Sequence, residues 1–258
     1  MATIAPAQQD TAVAENFFRS TAIVMALTVV AGFSLQYAMG RSTFASRPLV
    51  HLHALTFMGW VGIFVLQSWL ATHGPIALHR KLGWIGAFWI GLLIVTGIWI
   101  SVDVTQRGTA PFFFRPQHFL IANPMGMFCF AVLAWSAIRL RKQTDWHMRL
   151  HICGMAAIMG PAFGRLLPMP LLIPYAFDIA VLAGLMFPIA GMIRDVRRSG
   201  RVHPAYWRGV AAIILVLPLS HLIANSSVGD VLYSAATAGH PGAGVPGLEF
   251  APPPPGMM

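Results

Sequence analysis

The feature that most constrains this chain is a succession of apolar runs, each near the length that crosses a bilayer. A transmembrane helix needs about 20 predominantly apolar residues. Seven stretches reach that length, at 17–39, 49–72, 82–102, 116–139, 149–171, 174–193 and 206–225. Inside hydrocarbon every backbone polar group must be paired within the protein, so such runs imply helices. The expected fold is an all-α integral membrane protein of about seven transmembrane helices. Pro161, Pro168, Pro170 and Pro174 crowd the fifth and sixth runs, and each removes a backbone donor and bends a helix.

Composition narrows the class further. The 258 residues are 57% hydrophobic and only 10% charged, against about 25% charged in a soluble domain. That excludes an ordinary soluble enzyme, and the apolar content excludes disorder for the body of the chain. Three regions are expected: a polar segment at 1–16, a transmembrane domain at 17–225 and a tail at 226–258. The first segment carries Asp10 and Glu15 and no basic stretch, so it does not read as a signal peptide. From Gly239 the tail is rich in Pro and Gly and reads as an extended segment outside the bilayer.

The net charge of +9 comes from 17 Lys and Arg against 8 Asp and Glu. The cations sit in short loops between apolar runs, with no basic face interleaved with aromatic residues. The expected partner is therefore the lipid bilayer and not nucleic acid. Twelve cations fall on one side of the seven spans and five on the other. By the positive-inside bias the N-terminus is expected in the cytoplasm and the C-terminus outside.

Ten histidines need an explanation. His51, His53, His118 and His221 map to the outer ends of spans. His73, His79, His147, His151 and His203 map to inner ends or inner loops. Interfacial histidine is ordinary, because the ring is amphipathic, but the spacing here repeats. His53-Ala54-Leu55 and His118-Phe119-Leu120 are offset by 65 residues, and His79-Arg80-Lys81-Leu82-Gly83 and His147-Met148-Arg149-Leu150-His151 by 68, with Gly86 and Gly154 in register. A doubled helical hairpin leaves such a trace. Spans two and four would bring His53 and His118 to one depth. Spans three and five would bring His79 to His147 or His151. Two stacked imidazole pairs inside a four-helix core formed by spans two to five suit two b-type haems. His51 and His53 are about 200° apart on a helix, so only one faces the bundle, whereas His147 and His151 share a face and suit one metal ion.

This spacing over residues 49–171 resembles the transmembrane di-haem cytochrome b family that moves electrons from ascorbate to ferric iron or monodehydroascorbate. The resemblance implies that His53 pairs with His118, and His79 with His147 or His151. The strings HRKLGW at 79–84 and DWHMRLHICGM at 145–155 also look like an uncharacterised group of bacterial integral membrane proteins, which places the chain in an inner membrane. The function expected is membrane electron transfer, an oxidoreductase role between a quinol-like donor and an acceptor. Arg80, Lys81 and Arg149 are candidates to meet haem propionates or an anionic donor. Quinone, another redox protein, or a larger membrane complex or oligomer are the partners that follow.

Two other functions stay open. His51, His53, His118, Asp178 and His221 form a candidate outer site for zinc, iron or copper, since imidazole with one carboxylate suits such ions, or alternatively a proton relay. A non-catalytic membrane subunit or assembly factor is the third reading. Asp178 is expected to pair with Arg165, tying spans five and six. Gln67 in mid-span two is expected to bond a neighbouring helix. Trp60, Trp69, Trp84, Trp99 and Trp207 read mostly as interface anchors. Cys129, Cys153, Met125, Met127, Met155 and Met159 read as packing residues.

Overall fold

A computed structural model describes the backbone of residues 6–253 and the side chains from residue 16. Residues 1–5 and 254–258, the ends of the expected terminal segments, lie outside the described residues. Among the described residues the fold is helical throughout. The order is α1 (Pro6–Ala38), α2 (Pro48–His73), α3 (Ile76–Gln106), α4 (Pro116–Arg139), α5 (Thr144–Ala157), α6 (Gly160–Leu166), α7 (Ala176–Gly184), α8 (Met186–Ser199), α9 (Pro204–Ala224) and α10 (Ser227–Thr237). Short 3-10 turns occupy Met169–Leu172 and Pro241–Gly244.

Proline and glycine set many of the boundaries. Pro48, Pro116 and Pro204 each occupy the first helical position, where the missing N–H has no cost. Gly200, at φ 72°, ends α8 in the left-handed conformation, which only glycine adopts freely. Inside a span, a proline ring collides with the carbonyl four residues earlier. α5 stops at Ala157, four before Pro161, and α7 stops at Gly184, four before Pro188, whereas α4 and α9 run on through Pro124 and Pro218.

Among the described residues, six segments are long and apolar enough to cross a membrane: 16–38, α2, α3, α4, 176–199 (α7 with α8) and α9. The seventh expected span, 149–171, is not one helix. It is realised as α5 and α6, broken at Ile158 and Met159. The two ends of the pair meet different neighbours. At one end Arg149 meets Asp195 of α8 at 2.8 Å, and at the other the Arg165 carbonyl accepts from Gln36 of α1 at 2.9 Å.

The helices α2, α3, α4 and α5 each pack against the next in sequence. The buried core extends beyond them, however. It includes Met25 of α1, Phe187 of α8, and Tyr206 and Ile213 of α9 together with Phe130, Met155 and Met159. Small residues allow the close crossings. A Cβ on Gly184 would lie 2.8 Å or less from a neighbouring carbonyl, that of Ala156 at 2.7 Å, and one on Gly32 would meet Ala162 at 2.8 Å. Trp60 belongs to this core at 4% exposure, unlike Trp69, Trp84, Trp99 and Trp207, which stay exposed on the surface.

The tail differs from the extended segment expected. It folds back across the ends of α3 and α4. The Gln117 N–H donates to the Gly247 carbonyl at 2.8 Å, Tyr233 donates to Val245 at 3.0 Å, and Arg115 lies 5.3 Å from the Phe250 ring centre. The start of α4 gives this glycine-rich strip a backbone partner that the sequence alone does not reveal.

Candidate functional site: two imidazole clusters

The histidines separate onto two faces, as the sequence indicates; the basic-face rings meet as expected, whereas His118 on the other face takes a different partner. One face carries most of the arginines, and Arg19 reaches the His73 ring there at 2.6 Å. The other carries His51, His118 and His221.

On the basic face, His79 begins α3 and His147 begins α5, and both sit just after a tight connection from the preceding helix. Each ring bonds back to that helix. His79 Nδ1 donates to the Gln67 carbonyl at 3.2 Å, and His147 Nδ1 donates to the Ala137 carbonyl at 2.8 Å. This fixes the proton on Nδ1 and leaves Nε2 of both rings with a free lone pair. The ring centres are 6.3 Å apart with planes at 82°. His151, one helical turn beyond His147, stands edge-on to it at 4.6 Å. The three rings expected at this level are therefore together, and the sequence alternatives His147 and His151 are both present beside one another.

The three basic residues offered for this site, Arg80, Lys81 and Arg149, diverge. Arg80 and Lys81 are exposed at the start of α3. Arg149 is not available to a ligand. Its guanidinium makes a two-pronged contact with Asp195 at 2.8 and 2.9 Å and reaches Asp145 at 2.9 Å. A buried arginine takes a carboxylate partner wherever the fold supplies one, and α8 supplies it here.

On the opposite face, His118 does not meet His53. His118 stacks on His221, with centres 4.0 Å apart and planes within 7°, and its Nε2 donates to Ser220 Oγ at 3.0 Å. Ser220 in turn donates to the Leu217 carbonyl at 2.8 Å. His221 Nε2 faces both Asp178 oxygens, at 2.9 and 3.1 Å. Phe113, Phe114, Arg115, Pro174, Phe177 and Phe250 complete the recess around this group. The expected pair of Asp178 with Arg165 does not form. The Arg165 side chain runs back along α6, donating to the Pro161 carbonyl at 2.8 Å and covering the Phe33 ring at 4.1 Å.

Of the five residues offered as an outer metal set, three converge: His118, Asp178 and His221. His51 is spent on the Phe44 carbonyl at 3.1 Å. His53 lies against Phe57 and the Thr96 main chain. Among the described residues no three His, Cys, Asp or Glu side chains assemble as a metal shell. Cys129 and Cys153 are free thiols, the second buried. Sequence reading missed Ser220 as a partner of His118, although its position next to His221 is a usable signal. It also missed the Arg149–Asp195 pair, since the two residues lie 46 positions apart.

A haem iron with two axial imidazoles needs one free nitrogen on each side. The stacked His118 and His221 rings do not offer that arrangement: both Nε2 atoms are engaged, and parallel rings in contact leave no gap between them. The His79–His147 pair fits the donor chemistry. Its Nε2 atoms are free, its rings come from successive helical hairpins, and each is oriented by a main-chain carbonyl, as metal-bound histidines commonly are. The chain matches no protein-family model, no curated protein sequence and no solved structure.

Proposed function

We propose that this chain is a membrane electron-transfer protein whose basic-face imidazoles, His79 and His147, hold b-type haem iron. One observation carries the reading. Two histidines at equivalent places in successive hairpins each give Nδ1–H to a main-chain carbonyl, at 3.2 and 2.8 Å. The two ring centres are 6.3 Å apart, with planes at 82°. An ion bonded at about 2 Å to each nitrogen is accommodated by that separation. When bound, such iron supplies one-electron chemistry tuned by its two imidazoles.

The protein's own groups then have separate tasks. The Gln67 and Ala137 carbonyls hold the rings in one tautomer. His151 packs edge-on against His147 and limits its rotation. Arg80 and Lys81, both exposed beside His79, are placed for propionate groups or an anionic donor. His118 is committed to Ser220 and His221 and does not pair with His53.

The outer group supports proton handling. His221 and Asp178 form an imidazole–carboxylate pair, with His118 stacked behind it, inside an aromatic recess. A quinol-like donor gives up protons as well as electrons, and this pair is a suitable base for one.

The test is an optical spectrum of the purified protein in detergent, oxidised and then reduced. The expected result is a Soret band with a sharp α-band on reduction. His79→Ala and His147→Ala should each abolish the spectrum, while His118→Ala should retain it. A protein purified without iron, which also fails to take up added haem, overturns the reading.

A further inference from the structure

A cleft of about 260 Å³ opens where the approach to α2 meets the end of α3. None of its lining residues is a histidine. Val50, Ile100 and Val104 form its apolar wall, and Arg47, Asp103 and Arg107 its charged rim. About 10–15 Å³ of such space admits one water, so this cleft takes a polyatomic group.

The rim carries two cations on one anion. Arg47 gives Nη1 to both Asp103 oxygens, at 2.7 and 2.9 Å. Arg107, one helical turn beyond Asp103, brings Nε to 3.8 Å from the same carboxylate. One positive charge is left over. The arginine side chains are 51% and 45% exposed, against 15% for Asp103. The carboxylate thus holds two guanidinium groups side by side, and their other nitrogens have no partner among the described residues. Arg47 also stands directly before Pro48, the first residue of α2, and a helix N-terminus favours negative charge. Guanidinium forks match the oxygens of phosphate.

Depth narrows the ligand class. Both α2 and α3 are long and apolar enough to cross a membrane, and the cleft sits where one begins and the other ends. That level is the head-group layer, which borders the hydrocarbon. Steps of four along α3 lead from Arg107 and Asp103 to Trp99 and Val95, both exposed. Residues four apart share a helix face, so an apolar strip about 12 Å long runs from the carboxylate into the hydrocarbon. A soluble anion would use the arginines alone, whereas a lipid uses the arginines and the strip.

We propose that this cleft binds the phosphate head of an anionic phospholipid, with Arg47 and Arg107 on the phosphate oxygens, Asp103 positioning both, and an acyl chain along Trp99 and Val95. The site is separate from the electron-transfer reading and does not depend on iron at His79 and His147.

The experiment counts lipids held by the full chain, using native mass spectrometry of protein released from detergent micelles. Phosphatidylglycerol is the probe, phosphatidylcholine the comparison without net charge, and inorganic phosphate the competitor. The expected result is one tightly held phosphatidylglycerol. Arg47→Gln and Arg107→Gln should each weaken it about tenfold, the worth of one charge-assisted hydrogen bond. Val50→Trp keeps both cations but fills the cleft, and should also lose the lipid. Arg139→Gln and Lys142→Gln remove the same charge from the basic face and should leave it in place. Equal retention of phosphatidylcholine, no tightly held phosphatidylglycerol, or equal weakening by the basic-face variants overturns the head-group site. Binding untouched by Val50→Trp overturns the cleft as its place. Displacement by inorganic phosphate at the lipid's own concentration overturns a lipid as the ligand.

Discussion

Arg149 and His203 show how single side chains on the basic face depend on their neighbours. Arg149 is held by Asp195, which is 4% exposed, and by Asp145, which is 71% exposed. Losing one partner of a buried pair leaves an uncompensated charge, which costs about 3–5 kcal/mol, whereas a surface partner contributes about 0–1 kcal/mol. Asp195→Asn should therefore lower stability by several kcal/mol in chemical unfolding in detergent, and Asp145→Asn should barely change it. His203 caps α9. Its Nδ1 accepts the Ala205 N–H at 3.2 Å, which requires the neutral ring. Burial first, then the Arg149 charge, holds its pKa below the ordinary 6.5. The unfolded chain therefore binds a proton at His203 before the folded one does, and the contribution is complete above pH 6.5 and declines as pH falls below it. His203→Asn keeps a capping side chain without the titration, so its melting temperature should fall less than that of the parent between pH 7 and pH 5.

At the scale of elements, the two helical hairpins are built alike. In α2–α3 the second helix gives His79 to a carbonyl near the end of the first. In α4–α5 His147 does the same. Gly86 packs on Ile63 and Trp60, and Gly154 on Leu133 and Phe130. Trp60 and Phe130 then meet edge to face at 5.2 Å, joining the hairpins. This is the arrangement the repeated histidine and glycine spacing suggests. Glycine has two distinct uses in these helices. At Gly184 an added methyl would press on the Ala156 carbonyl, while at Gly91 it would meet nothing within 4 Å. Overpacking costs about 1–3 kcal/mol, whereas a free helical Gly→Ala gains about 0.5–1 kcal/mol. Gly184→Ala should lower the melting temperature, and Gly91→Ala should raise it.

For the whole molecule, the tail and the faces of the bundle are the consequential features. Gly242 and Gly247 fit against the Thr105 carbonyl and the Gln117 side chain, where a Cβ would clash. Phe250 closes one side of the His118–His221 recess. Deleting the chain after Ala238 should expose His118, now buried, to imidazole-modifying reagents and leave His79 and His147 unchanged, as read by mass spectrometry of the modified peptides. The charge bias also makes a prediction for orientation. Single cysteines replacing Lys142 and Glu249, in a background without Cys129 and Cys153, should be labelled from opposite sides of the membrane by an impermeant thiol reagent.

The sequence by itself determined the helical membrane class, the approximate places of the crossings and the sorting of histidines onto two faces. Those follow from apolar length, proline position and helical rise, which are local. It also placed His79 beside His147 and His151, because each residue is tied to its own short connection. Partner choice between distant helices was decided only by tertiary structure. His118 takes His221 rather than His53, Asp178 takes His221 rather than Arg165, and Arg149 takes Asp195. Each is a choice among several polar groups at the same depth, and the deciding quantities are the rotation and tilt of the helices. Close glycine crossings and proline breaks set those angles, and a one-dimensional pattern does not encode them.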